Sequence, residues 1–445
     1  MQTRTIPSAA TPLSFADSLP RKVDVAVVGA GIAGVATAWF LAKAGLKVLV
    51  CEKGRVAGEQ SSRNWGWVRQ QGRDPAELPV MMESIRIWEG LAAETGEELG
   101  FTRQGCLYLA DQESELGRFT AWVETAKQHQ LDSRLIGRAE IDGLIPGATG
   151  TWAGGLYTPG DGRAEPTLAV PALARAAQRL GVSVREDCAV RSVERTAGRL
   201  SGLVTEAGRV ECQAAVLAGG AWSSLFLGNL GIALPQLAVR SSVARTGPAP
   251  ELFAGNAAAP GLAFRRRRDG GYTIALGDYS EHFLGPESFR YFRKFLPLLK
   301  SSAKEVKLRF GGSLGRFTEK RRWGAEEVSP FERQRMLDPA AAPEAVKRMR
   351  QRLDKRLPAL AGVPLVETWA GMIDTTPDAV PVLDEAPGLA GLFIATGFSG
   401  HGFGIGPGAG RVMADLVQGK PTGHDLARFR YGRFFDGSPL VVGPM

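Results

Sequence analysis

Cysteine and histidine are scarce in this chain. Four cysteines (Cys51, Cys106, Cys188, Cys212) and four histidines (His129, His282, His401, His424) are spread over 445 residues. They form no CxxC pair and no cluster at ligand spacing, which excludes a disulfide framework and a structural zinc module and predicts no metal. Aromatic residues make up 8% of the chain. They do not alternate with Lys and Arg as a nucleic-acid module requires. The opening stretch, MQTRTIPSAATPLSFADSLP, lacks an apolar core and a twin arginine. It reads as a loose arm rather than a secretory signal, and the cytoplasm is the expected compartment. Long apolar runs are absent with one exception, Val25 to Ala42, at the lower edge of membrane-spanning length. No internal repeat is present.

What is present begins with charge and bulk. A formal charge of +8 favours anionic partners without choosing among substrates, phosphates, nucleic acid and lipid. With 44% hydrophobic residues the chain is long enough for two cored domains.

The internal order of Val25 to Ala42 argues against a membrane span. VDVAVV is strand-like, GAGIAG follows at once, VATAWFLAKAG is a helix ending at Gly45, and KVLVCEKG is a second strand closing on Glu52. Gly29, Gly31 and Gly34 therefore satisfy GxGxxG between a strand and a helix, with an acid 23 residues after the first glycine. The helix N-terminus offers Ile32 and Ala33 amides to a pyrophosphate, and Glu52, followed by Lys53, can accept from ribose hydroxyls. The pattern predicts dinucleotide binding.

Further βα units do not follow directly. Residues 54 to 72 form a loop rich in Ser, Gly and Arg. Leu78, Met81, Ile85, Trp88 and Leu91 then mark one helical face. Rossmann-like segments resume at 165 to 194, 214 to 226 and 392 to 417. Between them lie strand-rich stretches such as PQLAVRSSVART and LAFRRRRDGGYTIALGD. The expected fold is α/β plus antiparallel β: a discontinuous Rossmann-type domain threaded through a mostly antiparallel-sheet domain. The expected boundaries are an N-terminal arm at 1–22, a nucleotide domain at 23–85, 155–230 and 365–420, a second domain at 86–154 and 231–364, and a C-terminal tail at 421–445.

Together these motifs resemble the FAD-dependent amine and amino acid oxidoreductases of the D-amino acid oxidase, glycine oxidase and monomeric sarcosine oxidase family. The match runs from about Asp24 to about Gly419 and includes the βαβ fingerprint, SSRN, GGLYTPGDGRAEP, VLAGGAWSS, WAGMIDTTPDAVPVLD and GFSGHGFGIGP. The resemblance implies a glutathione-reductase-like FAD domain. It assigns to the cofactor Gly29, Gly31, Ile32, Ala33, Gly34, Glu52, Lys53, Ser61, Ser62, Arg63, Asn64, Trp65, Gly66, Val190, Gly219, Trp222, Gly371, Gly400, His401, Gly402, Phe403 and Gly404. The closing glycine-rich turn would lie against the flavin, its backbone close to the ring and its helix dipole facing negative charge on the reduced cofactor.

The departures from that family shape the remaining expectations. Gly371 stands where monomeric sarcosine oxidases carry the FAD-linking cysteine, which implies noncovalent FAD. Gly404 stands where they carry a carboxylate-binding lysine, and Ile373 near an arginine of the glycine and D-amino acid oxidases. For a small, anionic amine or amino acid substrate, Arg69 is the first candidate anchor and Arg266 the second. Trp65, Trp67 and Trp369 are candidate aromatic walls, and His401 is a candidate catalytic or ring-contacting residue. Ala275 replaces a lysine that assists oxidation by O2, so another electron acceptor is expected. Hydride transfer from the carbon bearing the amine would give an imine that hydrolyses. Two alternatives stay open: a transfer-RNA wobble-uridine modification domain, and an NAD-dependent dehydrogenase.

Overall fold

The structure, a computed structural model, describes residues 5–311 and 322–443. Its first three elements are the expected βαβ unit: β1 (Val25–Val28), α1 (Ile32–Lys43) and β2 (Val48–Cys51). β1 and β2 pair in parallel inside a six-stranded sheet. The remaining strands come from distant parts of the chain, in the order Val382–Glu385, Leu392–Thr396, Ala214–Leu217, β1, β2, Ser183–Arg185. All neighbours are parallel except the edge strand Val382–Glu385. Burial on both faces explains the uninterrupted apolar runs. Val25, Val27, Val48 and Val50 pack under α1 and the helices Pro166–Arg179 and Gly402–Val417. Ala26, Leu49 and Cys51 face Leu200, Leu203 and Val210 of a three-stranded antiparallel layer.

A ten-stranded, mostly antiparallel sheet forms the second layer system. Leu237–Thr246 is its spine and pairs over nearly its whole length with Leu365–Thr375. The strands Leu365–Thr375 and Gly154–Thr158 therefore belong to this sheet, although the motifs they carry or adjoin point to the nucleotide. The helix Pro343–Arg356 covers one face through Ala345, Met349 and Leu353.

The N-terminal arm is not loose. Ile6 and Phe15 are buried, and Thr5 donates its backbone N–H and hydroxyl to Glu367. Ile6 joins Val243 and Trp369 in one apolar contact, so the arm lies across the large sheet.

The GHGFGIGPGAG stretch, expected to be a glycine-rich turn, is already helical from Gly402. A Cβ at Gly406 would come within 2.6 Å of Ile32, and one at Gly410 within 2.6 Å of Ala36. These glycines let the two helices pack closely, Gly406 against the Ile32 side chain and Gly410 against the backbone of Ala36 and Thr37.

Candidate active site

Two adjoining cavities open at the carboxyl ends of the parallel strands. The first is lined by Gly29, Glu52, Lys53, Val190, Gly219, Trp222 and Phe331, with Cys51 and Cys188 at its floor. Glu52 is fixed at the end of β2 because it accepts from the backbone N–H groups of Ala30 and Gly54, each at 2.8 Å. Burial pushes its carboxyl above the ordinary range, against the pull of Lys53 and those two amides. Lys53 lies 4.2 Å from the centre of the Trp222 ring and donates to Glu59 at 2.8 Å. Trp222 donates its indole N–H to the same carboxylate at 2.9 Å. Glu59, absent from the expected site, thus orders one wall.

The second cavity is lined by Ile32, Ala33, Asn64, Asp374, Phe398, Gly400, Gly402 and Phe403. Gly31, Gln60, Ser61, Ala218 and Gly220 border both cavities, so the two meet at the N-terminus of α1. That helix start has no side-chain cap on Gly31 and no acid in its first turn, an arrangement that suits an anion. Ser61 accepts the Ile32 N–H at 2.9 Å and so holds the SSRN loop against the helix start. Asp374, also missed from the sequence, accepts the Gly397 N–H at 2.7 Å. Burial raises its carboxyl to about 6.

One face of the large sheet carries a row of mostly small side chains between two aromatic ones. Register places Tyr108, Ala258, Ala263, Ala275, Val243 and Trp369 side by side on one face. Trp65 and Trp67 pack on that row, with ring centres 5.4 Å apart. Arg69 follows on the same strand edge, its guanidinium 5.5 Å from the Tyr108 ring and 5.9 Å from that of Trp67. Arg69 also donates to the Gln71 carbonyl. The three expected walls and Arg69 are therefore brought together. Trp369 is held by donating to the Arg63 carbonyl at 3.0 Å.

Several expected residues do other work. Arg266 is on the opposite face from Ala263: it pairs with Tyr272, lies 5.0 Å from that ring and donates to the Ala249 carbonyl. Arg265 faces the tryptophans instead, and its charge is committed to Glu165. Arg63 is fully buried as a clamp, donating to Asp338, Ala370 and Pro7. Ser62 donates to Glu59, and Gly66 packs against Ala164 and Arg265. Gly404 faces Trp67 and Met81, and its carbonyl accepts from Ser84 and Trp88.

His401 lies outside the cavity walls. It turns to Glu77, with Nδ1 3.3 Å from a carboxylate oxygen. Burial first, and Arg73 second, drive its imidazole down to about 4. Arg73 is buried beside Arg69, and burial lowers its guanidinium to about 9. One Arg73 Nη, both Glu77 oxygens and His401 Nδ1 lack a hydrogen-bond partner within the protein. The RQQGRD stretch holds no periodicity that singles Arg73 out.

With this geometry in view, the relatives are informative. The family model described as FAD dependent oxidoreductase matches residues 24–416. This chain belongs to that family. Its structure is similar to L-amino acid deaminase from Proteus myxofaciens, with 32% identity, a TM-score of 0.92, and coverage of 96% of this chain and 98% of that one. L-amino acid deaminase from Proteus vulgaris follows at 30% identity and a TM-score of 0.89, covering 96% and 100%. In sequence it is 26% identical to the sarcosine oxidase beta subunit of Rhizobium meliloti over 93% of this chain and 89% of that protein. Glycine oxidase of Geobacillus kaustophilus is 25% identical over 93% and 98%.

As an FAD-dependent oxidoreductase the chain has a cradle that fits its cofactor. A Cβ at Gly29 would come within 2.5 Å of the Ala218 carbonyl oxygen, and one at Gly34 within 2.0 Å of the Gly29 carbonyl oxygen. That bare backbone would let a pyrophosphate approach. Glu52 would accept from ribose hydroxyls, and the second cavity runs from the helix start to Asp374, Phe398 and Gly400. Acting on C–N donors, the family relies on that cofactor rather than on a cluster of catalytic side chains.

Proposed function

We propose that this enzyme oxidises the carbon–nitrogen bond of an α-amino acid, with L-amino acids as the leading substrates. The similarity to the two L-amino acid deaminases supports that choice of hand, which the sequence left open. N-substituted amino acids are the second reading, favoured by the sarcosine oxidase relative. FAD, when bound, would supply the acceptor for the hydride that leaves the carbon bearing the nitrogen; the nitrogen gives up a proton as the C=N bond forms, and the imine hydrolyses in water. The substrate would bind beside the face on which Trp65 and Trp67 pack over Ala263 and Ala275, with Trp369 near Trp65, aromatic walls suited to excluding water.

The single observation that carries the proposal is Arg69. Its guanidinium is held against Trp67 and Tyr108 at the end of that row, positioned to bind a carboxylate. Arg73 behind it adds positive charge. The cofactor is held noncovalently, because Gly371 offers no side chain and packs against Gln60 and Arg63. The parallel-sheet segments form the FAD-binding unit and the large sheet the substrate unit. A carrier other than O2 takes the electrons, and the cytoplasm is the proposed compartment. Among the described residues, no helix is long and apolar enough to cross a membrane. The test is anaerobic bleaching of the flavin with L-amino acids, D-amino acids and N-methyl amino acids. Bleaching by an L-amino acid is expected. Bleaching only by simple amines that lack a carboxylate would overturn the proposal.

A further inference from the structure

The short strand Trp67–Val68 runs antiparallel to Gly162–Arg163, with Trp67 in register with Arg163 and Val68 with Gly162. Continued by one residue, that register sets Asp161 opposite Arg69. The ladder stops there, and a side chain takes over from the backbone. Asp161 is fully buried, and its two oxygens accept the backbone N–H groups of the residues that follow Arg69: Oδ1 from Gln70 at 2.7 Å and Oδ2 from Gln71 at 3.1 Å. Its own carbonyl accepts from the Gln104 and Gly105 amides, which fastens it beside the strand Cys106–Ala110 that carries Tyr108. Gln71 is held a second time, because Thr158 donates its hydroxyl to Oε1 at 2.8 Å.

The Gln71 carbonyl is the group to which the Arg69 side chain donates, and among the described residues that guanidinium forms no other hydrogen bond and no ion pair. Asp161 spends both oxygens on amides and leaves the charge of Arg69 for a ligand. Accepting two amides requires the ionised carboxylate, since protonation turns one oxygen from an acceptor into a donor. Burial opposes ionisation and raises the Asp161 carboxyl to about 6, against the pull of the Gln70 and Gln71 amides and of Arg69. The turn is therefore fully bonded above that value and one bond short below it. Arg69, Arg73, Cys106 and Tyr108 are the titratable groups that face Asp161. Burial lowers Arg73 to about 9, pushes Tyr108 up to about 12 and holds Cys106 well above the ordinary thiol range, so none of these three titrates near Asp161. His401, beside Arg73, is depressed to about 4 and is neutral there.

We propose that Asp161 is the positioning residue of the carboxylate site: its ionised side chain fixes the turn from Arg69 to Gln71, and the grip of Arg69 on an anionic substrate slackens when Asp161 takes up a proton. The inference rests on the reading of Arg69 as the carboxylate anchor.

Benzoate, a carboxylate with no amine to titrate, is the probe, and its dissociation constant is read from the flavin absorbance of the FAD-loaded enzyme. From about pH 7.5 down to about pH 5 the wild-type constant should rise by about tenfold, as loss of a carboxylate titrating near 6 requires. Asp161→Asn should weaken binding by about tenfold at the upper pH and abolish the pH dependence. Added to Arg69→Ala, it should weaken binding by less than about twofold more, because it acts through that side chain. Charge alone predicts the opposite sign, since removing a negative group near Arg69 tightens the hold on an anion. Unchanged or tighter binding by Asp161→Asn would therefore overturn the proposal. So would its full effect on top of Arg69→Ala, which marks a general loosening of the fold. Should Asp161→Asn fail to retain FAD, the wild-type and Arg69→Ala profiles decide, and a wild-type profile that is flat, or equally steep without Arg69, overturns the proposal. Wild-type affinity in Arg69→Ala is a separate result: it removes the anchor itself, and the proposed carboxylate site falls with it.

Discussion

Arg265 grips Glu165 with two bonds, Nη1 to Oε1 at 2.9 Å and Nη2 to Oε2 at 3.2 Å, and both side chains are almost fully buried. Glu165 precedes the helix Pro166–Arg179, and Arg265 lies on the large sheet, so one ion pair ties the two layer systems beside Trp65. Burial works against ionisation of Glu165, but Arg265 overcomes it and holds the carboxyl below its ordinary range.

Glu165→Gln should therefore destabilise the enzyme by about 3 to 5 kcal/mol, the usual cost of leaving one buried partner charged. Because the folded-state value is depressed, the stability from this pair is fully present above the ordinary carboxylate range and is lost only as pH falls below that range, through the folded value. Urea unfolding of wild type and variant from about pH 7 down to about pH 2.5 should show the gap closing at the acid end. A gap independent of pH would remove the ion pair as its cause.

Arg69→Ala should raise KM for the best amino acid by about tenfold to a few hundredfold, the effect of losing a charge-assisted contact. Arg266→Ala, on the far face, should leave KM within about twofold. Steady-state kinetics of both variants decide between the two arginines. An unchanged KM for Arg69→Ala would sink the carboxylate site.

The distinction between those arginines marks how far the sequence could be read. Alternation separates Arg265 from Arg266 in AFRRRRDGG, but it does not say which face looks toward the cofactor. Both faces are covered, by Pro343–Arg356 on one side and Trp65 and Trp67 on the other, so hydrophobicity gives no direction. The βαβ unit was legible because its glycines, strand and acid obey local rules. Asp374, Glu59 and Arg73 were not, because each gains its role from neighbours brought in across more than a hundred residues: Gln236 for Asp374, Trp222 for Glu59, His401 for Arg73. The arm at Thr5 and Ile6 was misjudged for the same reason. Its partner Glu367 is near the other end of the chain.

Acid precipitation should release all the yellow colour, since Gly371 carries no linking side chain. Gly34→Ala should lower FAD content severely, because its Cβ meets backbone, which cannot move aside as a flexible side chain does. Absorbance at constant protein concentration reads both results. Colour retained in the pellet, or full FAD content in the variant, would contradict them.

His401 should stay neutral well below the pH at which an ordinary histidine charges. Its folded value is depressed to about 4 by burial and Arg73, so the unfolded chain binds the proton more readily between about 4 and 6.5. The unfolding free energy of wild type relative to His401→Gln should fall as pH drops across that window, by on the order of 3 kcal/mol at most. Carbon-13 labelled histidine provides a direct check. Titration near 6.5 by His401 would show that its burial beside Glu77 does not control it.

Oxygen should be a poor acceptor for this enzyme. A positive charge beside the reactive edge of a reduced flavin speeds the first electron transfer to O2 by stabilising the anion that forms. The family resemblance would put such a charge at the strand position of Ala275, which is buried between Ala263 and Val243. The arginine on that face, Arg265, is neutralised by Glu165. Stopped-flow reoxidation of dithionite-reduced enzyme should therefore be slow in air-saturated buffer and fast with a quinone. Ala275→Lys, verified as folded by flavin absorbance, should accelerate the reaction with O2 by about tenfold or more, the effect of ~1.4 kcal/mol of added stabilisation. Fast reoxidation of the wild type, with no further gain in the variant, would mean that another group supplies the charge, and Arg69 with Arg73 would be the pair to remove next.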